Sequence, residues 1–491
     1  MSKKRIKSPH PDWAIKYRTS GTELRLIRGN YYLYSYTTVY DKEKKRAKKI
    51  SGAFLGSITE KEGFVRSSKR ELENTLTQKM FSSVQCKEYG VANLVSIGFK
   101  EYGRALQKAF GNEWKEILAI AYCRFTYRCP LKNIPFRLAS SFLPELLEVE
   151  PFGDKQASGI LNRIGSMPQQ RLSYMKSFIK KGDYILMDAT DVTSQSKLIS
   201  LARKGYNSHM NFDSQFNLMY IYSATSRMPV YYRLLPGNIR EVKAFKNSLL
   251  EAGLKTAIVV ADKGFYSADN LALLQNEKLN FVLPVRRDNL LINFTPLVKN
   301  TFKDGANYFD HVKRPIWHKK QIIEKKLFLC LFLDEQLRVK EEADYLTRIK
   351  THPEKYNLKE YHLRKNKFGT IALLTNLKHK EQEIYETYKS RMAIEVMFDG
   401  MKNILEADHT YMQNEQTLQG WMFINHITLQ WYQHLYIELK EKGLLKEISV
   451  NDYIQHLTDV KKIKINDRWY FNEFTNKTKL LMGKLKINME V

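Results

Sequence analysis

Two periodicities organise this chain. Where apolar positions run almost without interruption, at 184–192 and 256–261, the pattern is that of strands covered on both faces of an α/β sheet. Further runs at 216–223, 229–235 and 280–285 add strands, with helices after Arg240 and Ser267, so residues 181–285 read as a mixed sheet flanked by helices. From 388 to 405 the period becomes helical, with Ala393, Ile394, Met397, Met401, Ile404 and Leu405 on one side. At about 100° per residue, Tyr388, Arg391, Glu395 and Lys402 fall within about 60° of one another on the other side. Such a helix buries its apolar side and presents a phenol, a guanidinium, a carboxylate and an ammonium together. The plain alternative is a solvated face with an ordinary Arg391–Glu395 pair, contributing roughly 0.2–0.5 kcal/mol.

The same patterns divide the chain. Residues 1–85 are basic with early strand character, and 86–180 read as helices, including an apolar stretch at 114–122. Residues 181–285 and 381–440 form the two parts of a core. Between them, 286–380 holds apolar runs at 326–333 and 370–374, enough to bury a small core of its own, and 441–491 is a basic helical tail.

Acids end the two long strands. Asp188 and Asp191 close the first; because strand side chains alternate, only one is expected to join a shared cluster, with Asp188 preferred and Asp191 the alternative. Asp262 closes the second, although Asp262-Lys263-Gly264 is also a good turn sequence. Open α/β sheets place their sites at such strand ends. Asp188, Asp262 and Glu395, without a His or Cys cluster beside them, make a hard oxygen site suited to Mg²⁺ or Mn²⁺. Two such ions about 4 Å apart suit in-line displacement at phosphorus.

In order and separation these motifs resemble the DDE transposases of bacterial insertion sequences, in the branch with the Tyr-Arg-Glu-Lys signature. Asp188-Ala189-Thr190 matches the Asp-x-Thr strand end, Asp262-Lys263-Gly264 the Asp-x-Gly turn, and Glu395 the Glu of the signature helix. Pro236-Gly237-Asn238 and a tail rich in Leu and Lys fit as well. The resemblance implies a ribonuclease H-like core with a β-rich insertion at 286–380. It implies that Asp188, Asp262 and Glu395 are the catalytic metal ligands, and that Tyr388, Arg391 and Lys402 hold transposon-end DNA. An aromatic of the insertion would stack on a displaced base; the candidate is Trp317, flanked by Arg314, His318, Lys319 and Lys320, with a packed core Trp as the competing reading. A homodimer on paired ends, hydrolysing a phosphodiester and joining the freed 3′-hydroxyl to target DNA, completes the expectation.

Charge points to the same partner on separate grounds. The chain has 80 Lys and Arg against 52 Asp and Glu, a formal charge of +28, so phosphate binding should be strong and salt-sensitive. Lys42, Lys44, Lys45, Arg46, Lys48 and Lys49 follow the aromatic run Tyr31, Tyr32, Tyr34, Tyr36 and Tyr40, which suits either a DNA contact or a solvated hairpin tip. Cys86, Cys123, Cys129 and Cys330 have neither zinc nor disulfide-framework spacing, so a reducing cytoplasm is expected. Lys3-Lys4-Arg5 is not followed by the apolar stretch of a signal peptide. The longest apolar candidate for a membrane span, 421–437, is broken by Asn425, His426, Gln430, Gln433 and His434. Two other classes share these features: a DNA-binding protein that does not cut, and a ribonuclease H-like nuclease that cuts without joining. Any cleavage removes the first, and a strand-transfer product removes the second.

Overall fold

The computed structural model describes residues 10–41, 46–67, 84–180, 183–194, 196–204, 214–237, 242–253, 258–261, 264–465 and 468–487. Two compact units emerge, one formed by residues 1–86 with 462–472 and the other by 87–461 with 473–491.

The first unit holds an antiparallel meander of β1 (Thr22–Ile27), β2 (Asn30–Asp41), β3 (Arg46–Thr59) and β4 (Gly63–Arg66). Alternation along the strands sends Leu24, Tyr31, Leu33 and Ile58 to one face, where they pack with Ala14. On other positions cations lie over rings: Arg25 is 4.7 Å from the centroid of Tyr34, and Lys49 is 3.9 Å from that of Tyr36. The pairing of β2 with β3 extends to Asp41 and Arg46. Lys42, Lys44 and Lys45 of the basic run lie outside the described residues.

Strand β5 (Gln85–Glu88) leads into the helices of the second unit, among them Lys100–Phe110, Trp114–Tyr127, Asp154–Gly165 and Pro168–Lys176. Its sheet contains β6 (Tyr184–Ser194), β7 (Arg203–Lys204), β8 (Ser214–Ser223), β9 (Met228–Pro236), β10 (Ile258–Val260), β11 (Asn280–Val285), β12 (Tyr308–His311), β13 (Arg314–Glu324), β14 (Leu327–Asp334), β15 (Thr370–Thr375) and β16 (His409–Thr410). The order is β12-β13-β14-β15-β11-β10-β6-β8-β7, with β9 on β8 and β16 on β6. Strands β6, β10 and β11 run parallel, while β8 and β9 are antiparallel additions. The result is a mixed α/β architecture with one large mixed sheet.

The long helix Glu415–Glu441 carries the core and explains its own polar interruptions. Gln430 donates to the carbonyl of Pro229 at 2.9 Å and accepts from the Tyr174 hydroxyl at 2.7 Å. Asn425 accepts from Arg124 Nε at 3.0 Å, and Gln433 donates to the Tyr222 hydroxyl at 3.0 Å. These groups are buried inside protein and hydrogen-bonded, as buried polar groups must be. No helix among the described residues is long and apolar enough to cross a membrane.

Two expectations change. The insertion has no sheet to itself: β15 pairs antiparallel with β11, Leu374 opposite Leu283, so its strands prolong the central sheet. Both strands are apolar on both faces, and joining them buries more surface than closing a small separate core. Beside its four strands the segment holds helices Glu335–Thr351 and Leu358–Arg364. In the tail, expected to be helical, β17 (Lys461–Ile465) and β18 (Arg468–Phe471) form a hairpin between helices Val450–Thr458 and Asn476–Leu485. The alternation Lys462-Ile463-Lys464-Ile465 has a period of two, which favours a strand.

The β12–β13 hairpin turns on Val312 and Lys313, with φ of 51° and 60°. A two-residue turn with both φ positive is the natural place for Asn-Gly, and a β-branched residue is strained there. Replacing Val312-Lys313 by Asn-Gly is expected to raise unfolding free energy by about 1–2 kcal/mol in urea titrations.

Candidate active site

Strand β6 sets the site. One edge is paired with β8 from Ile185 to Thr193. The other pairs with β10 as far as Leu186 and with β16 from Thr193. Asp188 and Asp191 lie on the stretch of β6 between those two pairings.

The segment carrying the four signature residues packs against this stretch of β6. A single helix was expected; the structure divides it into Glu381–Lys389, Met392–Asp399 and a wider π-helical turn at Gly400–Ile404. At the first junction the amides of Arg391, Ala393 and Ile394 bond three residues back, to Tyr388, Ser390 and Arg391, which tightens the winding. At the second, the Leu405 amide bonds five residues back to Gly400, which loosens it. A helical-wheel calculation assumes uniform winding and so misplaces residues across these junctions. The buried side is nevertheless as expected at Ile394, Met397, Met401 and Leu405, while Ala393 and Ile404 are half-buried. Gly400 lies so close to Tyr432 that an added Cβ would sit 2.3 Å from the ring.

Arg391 draws two acids together. Its Nη2 donates to Asp188 Oδ2 at 3.1 Å and its Nη1 to Glu395 Oε1 at 2.7 Å. The Ala189 amide donates to Asp188 Oδ1 at 2.9 Å. Asp188 and Arg391 are mostly covered, at 19% and 16% side-chain exposure, whereas Glu395 is 53% exposed and open to solvent. Lys402 forms a separate ion pair with Asp191, Nζ to Oδ1 at 3.7 Å. Asp188 shares Arg391 with Glu395, whereas Asp191 is engaged by Lys402 of the same segment. Arg391 and Lys402, about three helical turns apart, are long enough to reach one acid each.

The remaining candidates are less concentrated. Tyr388 ends the first helical segment, half-buried, its carbonyl accepting from the Arg391 amide at 3.1 Å. Trp317 is not brought to the acids: it is half-buried in β13 opposite Tyr308, ring centroids 5.1 Å apart, with Lys303 Nζ 5.6 Å from its ring. That is neither a fully packed core residue nor a bare surface one. Asp262 lies outside the described residues, as do Asn238 and Arg240.

One supporting residue gave no motif. Buried Arg124 donates to the carbonyls of Leu405 and Glu406, the latter at 2.9 Å, and so fixes the end of the π-helical turn. An arginine inside the apolar run of Trp114–Tyr127 was the available signal.

Behind the acids, Tyr220 of β8 is paired with Asp188, and its ring stacks on His426 of the long helix, centroids 5.8 Å apart. Burial lowers the His426 pKa from 6.5 to about 3. Below pH 6.5 the unfolded chain binds a proton that the folded chain refuses, so this group subtracts about 1.4 kcal/mol per pH unit down to about pH 3 and nothing above 6.5. Glu88 acts oppositely: burial raises it from 4.5 to about 7, so it adds stability as pH falls from 7 to 4.5. Between pH 6.5 and 4.5 these two contributions oppose one another, while His311 and His318, lowered by burial, add to the loss as pH falls; below 4.5 nothing from Glu88 offsets it. Relative to the parent, a His426→Leu variant should gain stability towards pH 4.5, which urea unfolding at pH 7, 6 and 5 would check.

No group of three His, Cys, Asp or Glu among the described residues is gathered to hold a metal. The donors that do converge, Asp188 and Glu395, are hard carboxylates already sharing one cation, so their chemistry fits Mg²⁺ or Mn²⁺.

A sequence model of the transposase DDE domain matches residues 180–431, just over half of the chain. The chain belongs to the DDE transposase family. Its DDE domain thus runs from the approach to β6 to the middle of the long helix. Among solved structures it is similar to piggyBac transposase, determined by cryo-EM as a synaptic complex with hairpin DNA. That alignment covers 75% of this chain and 70% of the other at 12% identity, with a TM-score of 0.36. No curated protein matches the chain.

Proposed function

We propose that this chain is the transposase of a bacterial insertion sequence, in the branch with the Tyr-Arg-Glu-Lys signature, built on a ribonuclease H-like core. The strand order β9-β8-β6-β10-β11, antiparallel through β6 and parallel beyond it, supports that core. The observation that carries the functional reading is the single guanidinium of Arg391 joining Asp188 from a strand to Glu395 from a helix. Asp262 is proposed as the third acid. It follows two residues after Val260, which pairs with Leu186, itself two residues before Asp188.

When bound, Mg²⁺ or Mn²⁺, proposed as two ions, would supply an activated oxygen nucleophile and stabilise the departing 3′-oxygen. Asp188, Asp262 and Glu395 would hold them. Arg391 can fork onto a phosphate, Lys402 adds a point charge beside it, and Tyr388 lies one turn before Arg391 to contact the same strand. Trp317 offers a partly exposed ring to a displaced base, with Lys303 beside it for the backbone. The products would be a cleaved transposon end and, after attack by its 3′-hydroxyl, a joined target. The active form is proposed to be a homodimer on paired ends in the cytoplasm; one chain per end in a sized complex would contradict the dimer.

DNA flanking the gene supplies the test. Terminal inverted repeats bordered by short direct repeats are expected, and a fragment carrying them should be bound by the purified chain, with affinity falling steeply as salt rises. Unrelated flanks and no preference for any flanking sequence would remove the insertion-sequence reading.

A further inference from the structure

We propose that Arg391 is an internal cation that a divalent metal displaces, and that the displaced guanidinium then takes hold of DNA phosphate, so that metal binding and DNA binding strengthen one another. This rests on the reading of Asp188 and Glu395 as metal-holding acids.

The geometry carries it. Both terminal nitrogens of one guanidinium are engaged, one with Asp188 at 3.1 Å and the other with Glu395 at 2.7 Å. An Arg–Glu pair four apart on a helix is ordinary, but this Arg also bonds an acid from another element, so it stands where a shared cation would stand. Mutual repulsion of acids gathered for a dication is costly unless something positive lies among them, and here that charge is built in. Arg391 and a dication would compete for the same carboxylate oxygens. Glu395 is open to solvent, so the ion has a path in, and Arg391 precedes Met392–Asp399 at a tightened junction, from which a long side chain can swing without moving the helix. Once released, its planar fork suits a phosphodiester. Lys402 differs: its pair with Asp191 is single and longer, so it contributes field without bridging two acids.

Linkage makes the proposal measurable, because coupling between two ligands is reciprocal. The probes are Mn²⁺ alone, followed by the EPR signal of free ion, and a fluorescent blunt duplex, followed by anisotropy with chelator or with Mn²⁺ at constant ionic strength. In the full chain Mn²⁺ should tighten duplex binding about fivefold or more. Arg391→Gln should bind Mn²⁺ about fivefold more tightly than the parent and lose most of the Mn²⁺ effect on duplex affinity. Lys402→Gln, which removes the same charge nearby, should retain that effect. Arg391→Lys keeps the charge but cannot bridge both acids, and should fall between parent and Gln variant, which preserves the test if the Gln variant folds poorly. Equal Mn²⁺ affinity in Arg391→Gln and parent, or a duplex response unchanged by Arg391→Gln, would overturn the exchange. If the parent bound no Mn²⁺ at all, the metal reading of the site would itself fail, and that outcome is distinguishable from the others.

Discussion

Glu395→Gln is expected to reduce cleavage of transposon-end DNA by about 10³-fold or more while changing end affinity, measured in chelator, less than about threefold. A carboxylate that holds a catalytic dication contributes several kcal/mol to the transition state, and about 1.4 kcal/mol corresponds to each factor of ten. Glutamine keeps the size of the side chain and an oxygen that can accept from Arg391, so the helix should stay in place. Because Glu395 is half exposed, its pair with Arg391 contributes little to folding, and the melting temperature should hardly move. Single-turnover cleavage with Mn²⁺ or Mg²⁺, run beside an anisotropy titration on the same duplex, checks both halves. Asp188→Asn should behave alike in cleavage but lose more stability, since Asp188 is mostly covered and accepts from both Arg391 and the Ala189 amide.

Gly420→Ala is expected to destabilise the chain by about 3 kcal/mol or more. The long helix Glu415–Glu441 crosses Asp154–Gly165 at near backbone contact. A Cβ on Gly420 would lie 2.0 Å from the carbonyl oxygen of Leu161, and one on Gly165 would lie 1.7 Å from that of Gln416. Backbone atoms cannot swing aside as a side-chain tip can, so the helices must part, and every contact along the seam loosens. Gly165→Ala should cost a similar amount, and the double variant less than the sum, because either methyl alone separates the pair. Gly483→Ala is the control: nothing lies within 4 Å of its Cβ position, and alanine in that helix should be neutral or slightly stabilising. The loss should reach the site, because the same long helix holds Pro229 through Gln430 and backs Tyr220 with His426, and Tyr220 is the partner of Asp188.

Strand-length apolar runs were legible because strands covered on both faces leave little room for polar residues; β6, β8, β9 and β11 lie where those runs fall. The meeting of Arg391 with Glu395 was legible too, because residues four apart on a helix are neighbours whatever surrounds them. What could not be read was set by tertiary geometry. The loose turn after Met392–Asp399 is set by packing against Tyr432 and by Arg124 reaching the carbonyls of Leu405 and Glu406 from a distant helix. Alternation alone separated Asp188 from Asp191; it did not show that Arg391 and Lys402 of one segment would engage one acid each. The insertion joined the main sheet because β15 found β11, a pairing that no local pattern encodes.

Cutting by these acids and joining of the freed end elsewhere can be read in one reaction. The most direct measurement incubates the purified chain and Mn²⁺ with a labelled duplex bearing the element's terminal repeat and a supercoiled plasmid, and follows the label. Label joined covalently to plasmid through the 3′ end is expected, and none with Glu395→Gln. Cleavage without joining would reduce the chain to a nuclease, and joined product that persists in Glu395→Gln would contradict the site.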